Sequence, residues 1–427
     1  MRPFIFLVLM YVLTACTNLK KEVEFARVEG VQFIVDGEPY YFMGTNMWYA
    51  AILASEGEGG DTLRLFKELD FLKELGVNNI RVLVGAEGER GVHSKIEPIL
   101  QPAPGVYNDT LLRGLDRLMV ELEKRGMMAV LYLGNSWEWS GGYSQYLMWS
   151  GAEIAPIPAI SGWHPFRDYV SRFVMCSTCK KMFSDHVKFI VSRENSITGK
   201  PYSQDPAIFS WQVANEPRAF SDEGKEPFYE WVTGVAELIK SVDKNHMVST
   251  GSEGLFGCEV DMNLFERIHS SKHIDYLNMH IWPYNWGWVT KDSLSEKLDN
   301  SIYETDKYIK SHVEVAEKIG KPIVLEEFGY PRDGFSFSRT SSVVSRDIYF
   351  SFVVENIKKS SSEGGALAGA NFWGWGGFAD TLPGRFDWRR GDPFTGDPAQ
   401  EPQGLYSVFS SDTTTLEVIR RFGRTSF

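Results

Sequence analysis

Two stretches far apart in the chain repeat one pattern: an apolar strand that runs into an acid and then stops. In the first, Ile208, Phe209 and Ser210 lead into WQVANEPR (211–218), where Pro217 denies a central strand any continuation. About 110 residues later KPIVLEEFG (321–329) again ends an apolar run in acids, followed by an aromatic and a glycine. Strands of this kind, separated by helical stretches, close most simply as a parallel barrel. The strand ends of one sense then share a single mouth. Such a barrel sets Glu216 and Glu327 facing one another across it.

The rest of the chain supports that architecture. VQFIVDGEPYYFMGTN reads as a hairpin turning at Asp36-Gly37, with 40–44 leading into barrel strand one. Leu63, Leu65, Phe66, Leu69, Leu72 and Leu75 form an apolar stripe that predicts a helix over 62–75, closed by Gly76. Strand two follows at 79–84 and contains Arg81. A helix over 108–126 starts near Asn108 or Asp109, and MMAVLYLGN is strand three. SWEWSGGYSQYLMWSG is too polar and too interrupted for one core element and reads as a long loop. Residues 185–194 predict a helix, MVSTGSEG strand five, 274–280 strand six, 295–319 a helix and 370–373 strand eight. A capped helix closes the chain. With no visible linker, repeat or appended module, 26–427 reads as one (β/α)₈ TIM barrel with long strand-to-helix loops and an N-terminal β-hairpin. At 427 residues such a barrel with insertions uses nearly the whole chain.

Taken singly, either acid fits a loop start or a helix cap. Taken together, NEP and EFG resemble glycoside hydrolase family 5, and NEPR after WQVA resembles its endo-β-1,4-mannanase branch. The longest such stretch is SRENSITGKPYSQDPAIFSWQVANEPR, and the resemblance covers nearly all of the barrel. It implies a retaining, endo-acting glycosidase that cleaves β-1,4-mannosidic bonds in mannan, glucomannan or galactomannan polysaccharides or oligosaccharides. Glu216 would be the acid and base, and Glu327 the nucleophile. Neighbours on a strand face opposite ways, so only one of Glu326 and Glu327 enters the mouth, and the family's nucleophile directly precedes the aromatic-Gly pair. The resemblance also implies substrate-site residues. Arg81 lies beneath the nucleophile, Asn135 and Trp137 are on the long loop, and Asn215 meets the reacting sugar's 2-hydroxyl. Arg218 is on the leaving-group side, His280 ends strand six with Trp282 two residues on, and Trp373 is a platform below the sugar. Trp139 and Trp149 fit loop packing as readily as sugar contact. The family usually has Tyr where Trp282 stands, and an indole is no phenol, so Glu327 has to be oriented in another way. Two other readings stay open: the same chemistry on β-1,4-glucan, and a surface lipoprotein that binds glycans without cleaving them. The two-carboxylate mechanism calls for no metal or other cofactor.

A net charge of −12 argues against nucleic acid as a partner, since phosphate binding needs a basic patch. The 13 Trp exceed what core packing alone needs and suit flat sugar faces. At the N-terminus Arg2 precedes an apolar run over 4–13, too short to span a bilayer, and LTAC resembles a bacterial lipobox. That resemblance implies a signal peptide over 1–15, lipidation of Cys16, a tether over 16–25, and an exported bacterial lipoprotein anchored to a membrane. Neither the membrane face nor the oligomeric state follows from it. CSTC places Cys176 and Cys179 three apart while Cys258 stands alone. Without a second suitably spaced pair, a local disulfide or buried thiols are favoured over a metal site.

Overall fold

The computed structural model describes residues 24–423, so Cys16 and the leader lie outside the described residues. Three short strands come first: β1 (Arg27–Glu29), β2 (Gln32–Val35) and β3 (Glu38–Tyr40), paired antiparallel. Asp36 (φ 51°) and Gly37 (φ 84°) make the β2–β3 turn, the positive-φ pair that a tight hairpin requires. This small sheet plugs the floor of the barrel. Fully buried Phe33 meets Phe209 at 5.0 Å and Tyr276 at 5.2 Å, ring centre to ring centre.

Eight parallel strands follow: β4 (Phe42–Asn46), β5 (Asn79–Leu83), β6 (Met128–Tyr132), β7 (Ile208–Gln212), β8 (Met247–Ser249), β9 (Leu277–Ile281), β10 (Ile323–Phe328) and β11 (Leu367–Phe372). Their order is β8-β7-β6-β5-β4-β11-β10-β9, and every one of their residues is buried, as expected of a sheet covered on both sides. The seam between β8 and β9 is closed partly by a side chain. Asn278 Oδ1 accepts from the backbone N–H of Thr250 (3.0 Å) and of Gly251 (2.8 Å) just beyond β8.

The outer helices form where periodicity and caps agree. The helix Thr62–Glu74 is capped by Asp61, whose side chain accepts from Arg64 N, and it buries Leu65, Leu69 and Leu72. Leu63, part of the predicted stripe, is 80% exposed, because only the i, i+4, i+7 positions face the barrel. Asn108 caps Asp109–Arg125, which ends in left-handed Gly126. Two expectations are corrected. The helix expected at 185–194 is Ser177–Val191, begun by the Cys176 side chain accepting from Cys179 N, and most of the expected loop after β6 is helical, with Gly142–Trp149 the main element. Cys176 and Cys179 form a disulfide, and Cys258 is a buried free thiol.

A bulge shapes the nucleophile strand. Between β9 and β10, Leu325 pairs with Met279 and Glu327 with His280, which leaves Glu326 as an extra residue on the β10 side. The strict alternation expected of neighbouring residues is lost there. Both acids reach the barrel interior. Glu326 accepts from Gln212 Nε2 (2.6 Å) and Tyr276 Oη (3.1 Å), while Glu327 alone opens on the cleft above. Two final short strands, β12 (Trp375–Gly377) and β13 (Val408–Phe409), pair parallel and bracket the long segment that walls one side of the mouth.

Candidate active site

The mouth of the barrel opens into a cleft of about 690 Å³. Glu216 enters it from the turn after β7 in a left-handed backbone conformation, φ 48°, which costs a non-glycine residue on the order of 1–3 kcal/mol. Backbone bonds hold it there: Glu216 N donates to Gly251 O at 2.9 Å, Asn215 N donates to Gly134 O at 2.8 Å, and the Ser136 hydroxyl donates to Glu216 O. Gly251 is itself at φ 80°, and a Cβ there would stand 1.9 Å from Ala214 O.

Glu216 and Glu327 meet around His280. Nδ1 of His280 lies 2.8 Å from Glu216 Oε1 and 3.3 Å from Glu327 Oε2, and an oxygen of each carboxylate lies within 4.8 Å of the other. The spacing suits a retaining pair, whose carboxyl groups sit about 5–5.5 Å apart, rather than an inverting one. Both acceptors face Nδ1, so Nδ1 carries a proton shared between the two acids. Burial alone would lower the His280 pKa, but Glu327 and Glu216 outweigh it and raise the group to about 9. Glu216 moves the other way. Burial pushes it up, yet the His280 hydrogen bond and charge, the Trp137 indole and Arg218 together hold it below the usual carboxylate range.

These three residues also form a group of metal-ligating types among the described residues. Here the imidazole N–H itself fills the gap between the carboxylates, and Arg81 supplies the balancing charge. A cation at this point would displace a proton that both acids stabilise.

The expected roles of several residues shift with the geometry. Arg81 is fully buried: Nη1 donates to Glu327 Oε1 and to Asn46 Oδ1 (3.1 Å), Nε to Gln212 Oε1 (2.8 Å), and Nη2 to Asn215 Oδ1 (2.9 Å). It acts on the sugar through Glu327 and Asn215 rather than by contact. Asn135 is corrected likewise. Its Oδ1 accepts from Trp137 N (3.1 Å) and Asn215 Nδ2 (3.2 Å), which makes it a positioning residue beneath the cleft. His280 is a buried bridge between the acids rather than part of the sugar-facing wall. Asn215, Trp137, Arg218, Trp282 and Trp373 do line the cleft. The Trp137 indole donates to Glu216 Oε2. Arg218 donates to Phe256 O and pairs with Glu253 (3.2 Å) and Glu259 (3.4 Å). Trp282 makes no hydrogen bond to Glu327. It packs edge-on against Trp373 at 6.0 Å and against Tyr406 at 4.8 Å, while Arg81 and His280 orient the nucleophile in place of the missing phenol.

Sequence reasoning missed Glu253, Gln400 and Glu401, all of which line the cleft. Glu253 stands next to last in the strand-five stretch MVSTGSEG, directly before Gly254, so the same strand, acid, stop pattern marks it. Burial first, then the Glu216 charge, raises it to about 7. Glu401 lies on the long β12–β13 segment, where no periodicity points to it. Burial, then Asp397, Glu327 and Glu216, push it well above the carboxylate range, and its Oε2 has no hydrogen-bond partner.

A family model described as GH family 5 beta-mannosidase-like matches residues 23–425. Among curated relatives, a putative mannan endo-1,4-beta-mannosidase of Oryza sativa subsp. japonica is 32% identical over 82% of this chain and 81% of its own length. One from Arabidopsis thaliana is 29% identical over 87% and 89%. Among solved structures, a glycoside hydrolase family 5 mannosidase from Rhizomucor miehei, in complex with mannosyl-fructose, superposes with a TM-score of 0.86 at 32% identity, covering 93% of this chain and 96% of that one. An endo-1,4-beta-mannanase from the same fungus, at 22% identity and a TM-score of 0.66, shares the barrel fold. The chain therefore belongs to the glycoside hydrolase family 5 beta-mannosidase-like family and is a glycoside hydrolase.

Proposed function

We propose that this enzyme hydrolyses β-1,4-mannosidic bonds within mannan, glucomannan or galactomannan, with retention of anomeric configuration. The observation that carries the mechanism is the pair Glu216 and Glu327 closed around His280 Nδ1. Glu327 attacks the anomeric carbon, forming a carbon–oxygen bond as the bond to the leaving oxygen breaks. As its negative charge is consumed, His280 loses one of the two carboxylates that held its proton. That proton moves along the 2.8 Å contact to Glu216, which delivers it to the leaving oxygen. In the second half Glu216 takes a proton from water, the water oxygen displaces Glu327 from the anomeric carbon, and the proton returns to His280. Asn215, fixed by Arg81 and Asn135, keeps an amide N–H for the reacting sugar's 2-hydroxyl, a contact that strengthens in the transition state.

The mannan preference rests on the names of the relatives and on Asn215 and Arg218 at the strand end that carries the acid. A site built to bond one C2 epimer leaves buried polar groups unpaired with the other. The enzyme is expected to cleave mannan or glucomannan far faster than carboxymethylcellulose, with NMR showing the β-anomer as first product. Equal kcat/KM on mannan and cellulose oligosaccharides, or a first product of inverted configuration, would refute the corresponding half of the proposal.

We also propose that the mature enzyme is an exported lipoprotein held to a membrane through Cys16. LTAC at 13–16 and the short apolar run before it support this. Replacing Cys16 with Ser is expected to abolish incorporation of a labelled fatty acid and to move the enzyme from the membrane fraction to the soluble one.

A further inference from the structure

The helix Trp163–Val170 stands on the rim beside the acid, and its two sides differ in chemistry. Phe166, Tyr169 and Val170 are buried against the protein. Trp163 and Arg167, four apart and therefore on one face, are exposed and line the cleft. The ring of Trp163 is 50% exposed and meets Trp137 edge to face at 5.5 Å. Trp137 in turn donates to Glu216, so an aromatic path leads outward from the group that protonates the leaving oxygen. Trp282 and Trp373, which pack against each other, and Glu401 line the same cleft but make no ring contact with Trp163.

Arg167 has no side-chain hydrogen bond or ion pair among the described residues; partial burial, then the nearby Arg218 charge, press its pKa down, and Glu253 and Glu259 only partly offset them. Its guanidinium donors are therefore free for acceptors that a ligand in the cleft brings. Its guanidinium offers a fork of donors suited to a vicinal diol. The helix is firmly tied in place: Tyr169 Oη donates to Glu153 O at 2.6 Å, and Arg172, just beyond it, pairs with Glu153 at 2.9 Å.

We propose that Trp163 and Arg167 form a subsite for the leaving-group half of the substrate. It holds a sugar beyond the one that carries the leaving oxygen, its face on Trp163 and its hydroxyls on Arg167. The inference rests on the glycosidase reading above and adds to it a determinant of chain-length preference.

The test compares kcat/KM on mannopentaose with kcat/KM on β-mannobiosyl fluoride, whose leaving group carries no sugar. For Trp163→Ala and Arg167→Ala the loss is expected to be about tenfold greater on the pentaose than on the fluoride, the scale of one ring contact or one charged hydrogen bond. Trp163→Phe, which keeps a flat ring, is expected to restore most of it. Ile160→Ala, on the same segment and 73% exposed outside the cleft, is the control. Equal losses on both substrates would mean that the rim only supports the fold, and no loss on the pentaose would mean that no sugar rests there. Either result overturns the subsite. Failure of the mannan reading looks different, since the wild type would then prefer cello-oligosaccharides. The same ratio, measured with cellopentaose and cellobiosyl fluoride, then decides the subsite.

Discussion

On the floor of the cleft Arg81 directs its donors to Gln212, Asn46, Glu327 and Asn215, whereas on the wall Glu401 and Gln400 each keep a buried oxygen with no partner. The floor groups come from strand ends or the first turns beyond them, where backbone register fixes the side chains. The wall groups come from long segments between elements. A buried group with its partners in place is already set for chemistry, and a buried group without one awaits a ligand. Changes on the floor should therefore cost rate and stability together. Changes on the wall should cost binding while sparing or raising stability.

The largest expected effect breaks the floor. Glu327→Ala and Glu216→Ala should each lower kcat by on the order of 10⁴-fold or more, since each removes one member of a unit. Glu326→Ala should cost less rate and more melting temperature, because Glu326 accepts from Gln212 and Tyr276 below the cleft. A greater loss of kcat in Glu326→Ala than in Glu327→Ala would reverse the assignment of the nucleophile. Next comes Arg81→Lys, which keeps the charge and loses the fork. A fall of about 10²-fold in kcat is expected, with a lower melting temperature and little change in KM.

His280 gives the floor its pH signature. Its folded pKa of about 9 exceeds the ordinary value of 6.5, so its protonation contributes stability that is fully present below 6.5 and lost as pH rises through 9. Glu216, shifted down, contributes stability present above the usual carboxylate range and lost as pH falls through its lowered value. The stability gap between wild type and His280→Gln, measured by denaturant titration, should therefore narrow between pH 6.5 and 9. A gap that stays level over that window would mean that His280 is neutral between the acids.

The wall should respond in the opposite sense. Glu401→Gln is expected to reduce kcat/KM on mannan oligosaccharides by up to about tenfold, the scale of one hydrogen bond, while raising the melting temperature by about 1–2 °C. A carboxyl whose pKa burial raises loses stability as pH climbs above its usual range, so this gain should grow with pH and vanish in acid.

The same division explains what the sequence disclosed. Asp36-Gly37, Asn108 and the Leu65, Leu69, Leu72 stripe are local signals, and each marks its element. Glu216 and Glu327 were legible because a strand end fixes where an acid points. The bulge at Glu326 was not, since one extra residue against β9 leaves no trace in an apolar run. Trp163, Arg167 and Glu401 were missed because packing between loops, rather than period or cap, decides which of many loop side chains turns inward.

Trp282 is the point at which the two regions meet, and its substitution is expected to have the smallest effect. The residue stands directly after β9 and beside the acids, as a floor residue would, yet it makes no hydrogen bond to either. Its contacts are the rings of Trp373 and Tyr406, which are wall contacts. Since Arg81 and His280 already orient Glu327, loss of the indole N–H removes nothing from the nucleophile. Trp282→Phe should lower kcat by less than about threefold and raise KM by a similar factor, because the smaller ring packs less well against its neighbours. A fall in kcat approaching that of Arg81→Lys would place Trp282 on the floor, with a role in positioning the nucleophile that its ring contacts do not suggest.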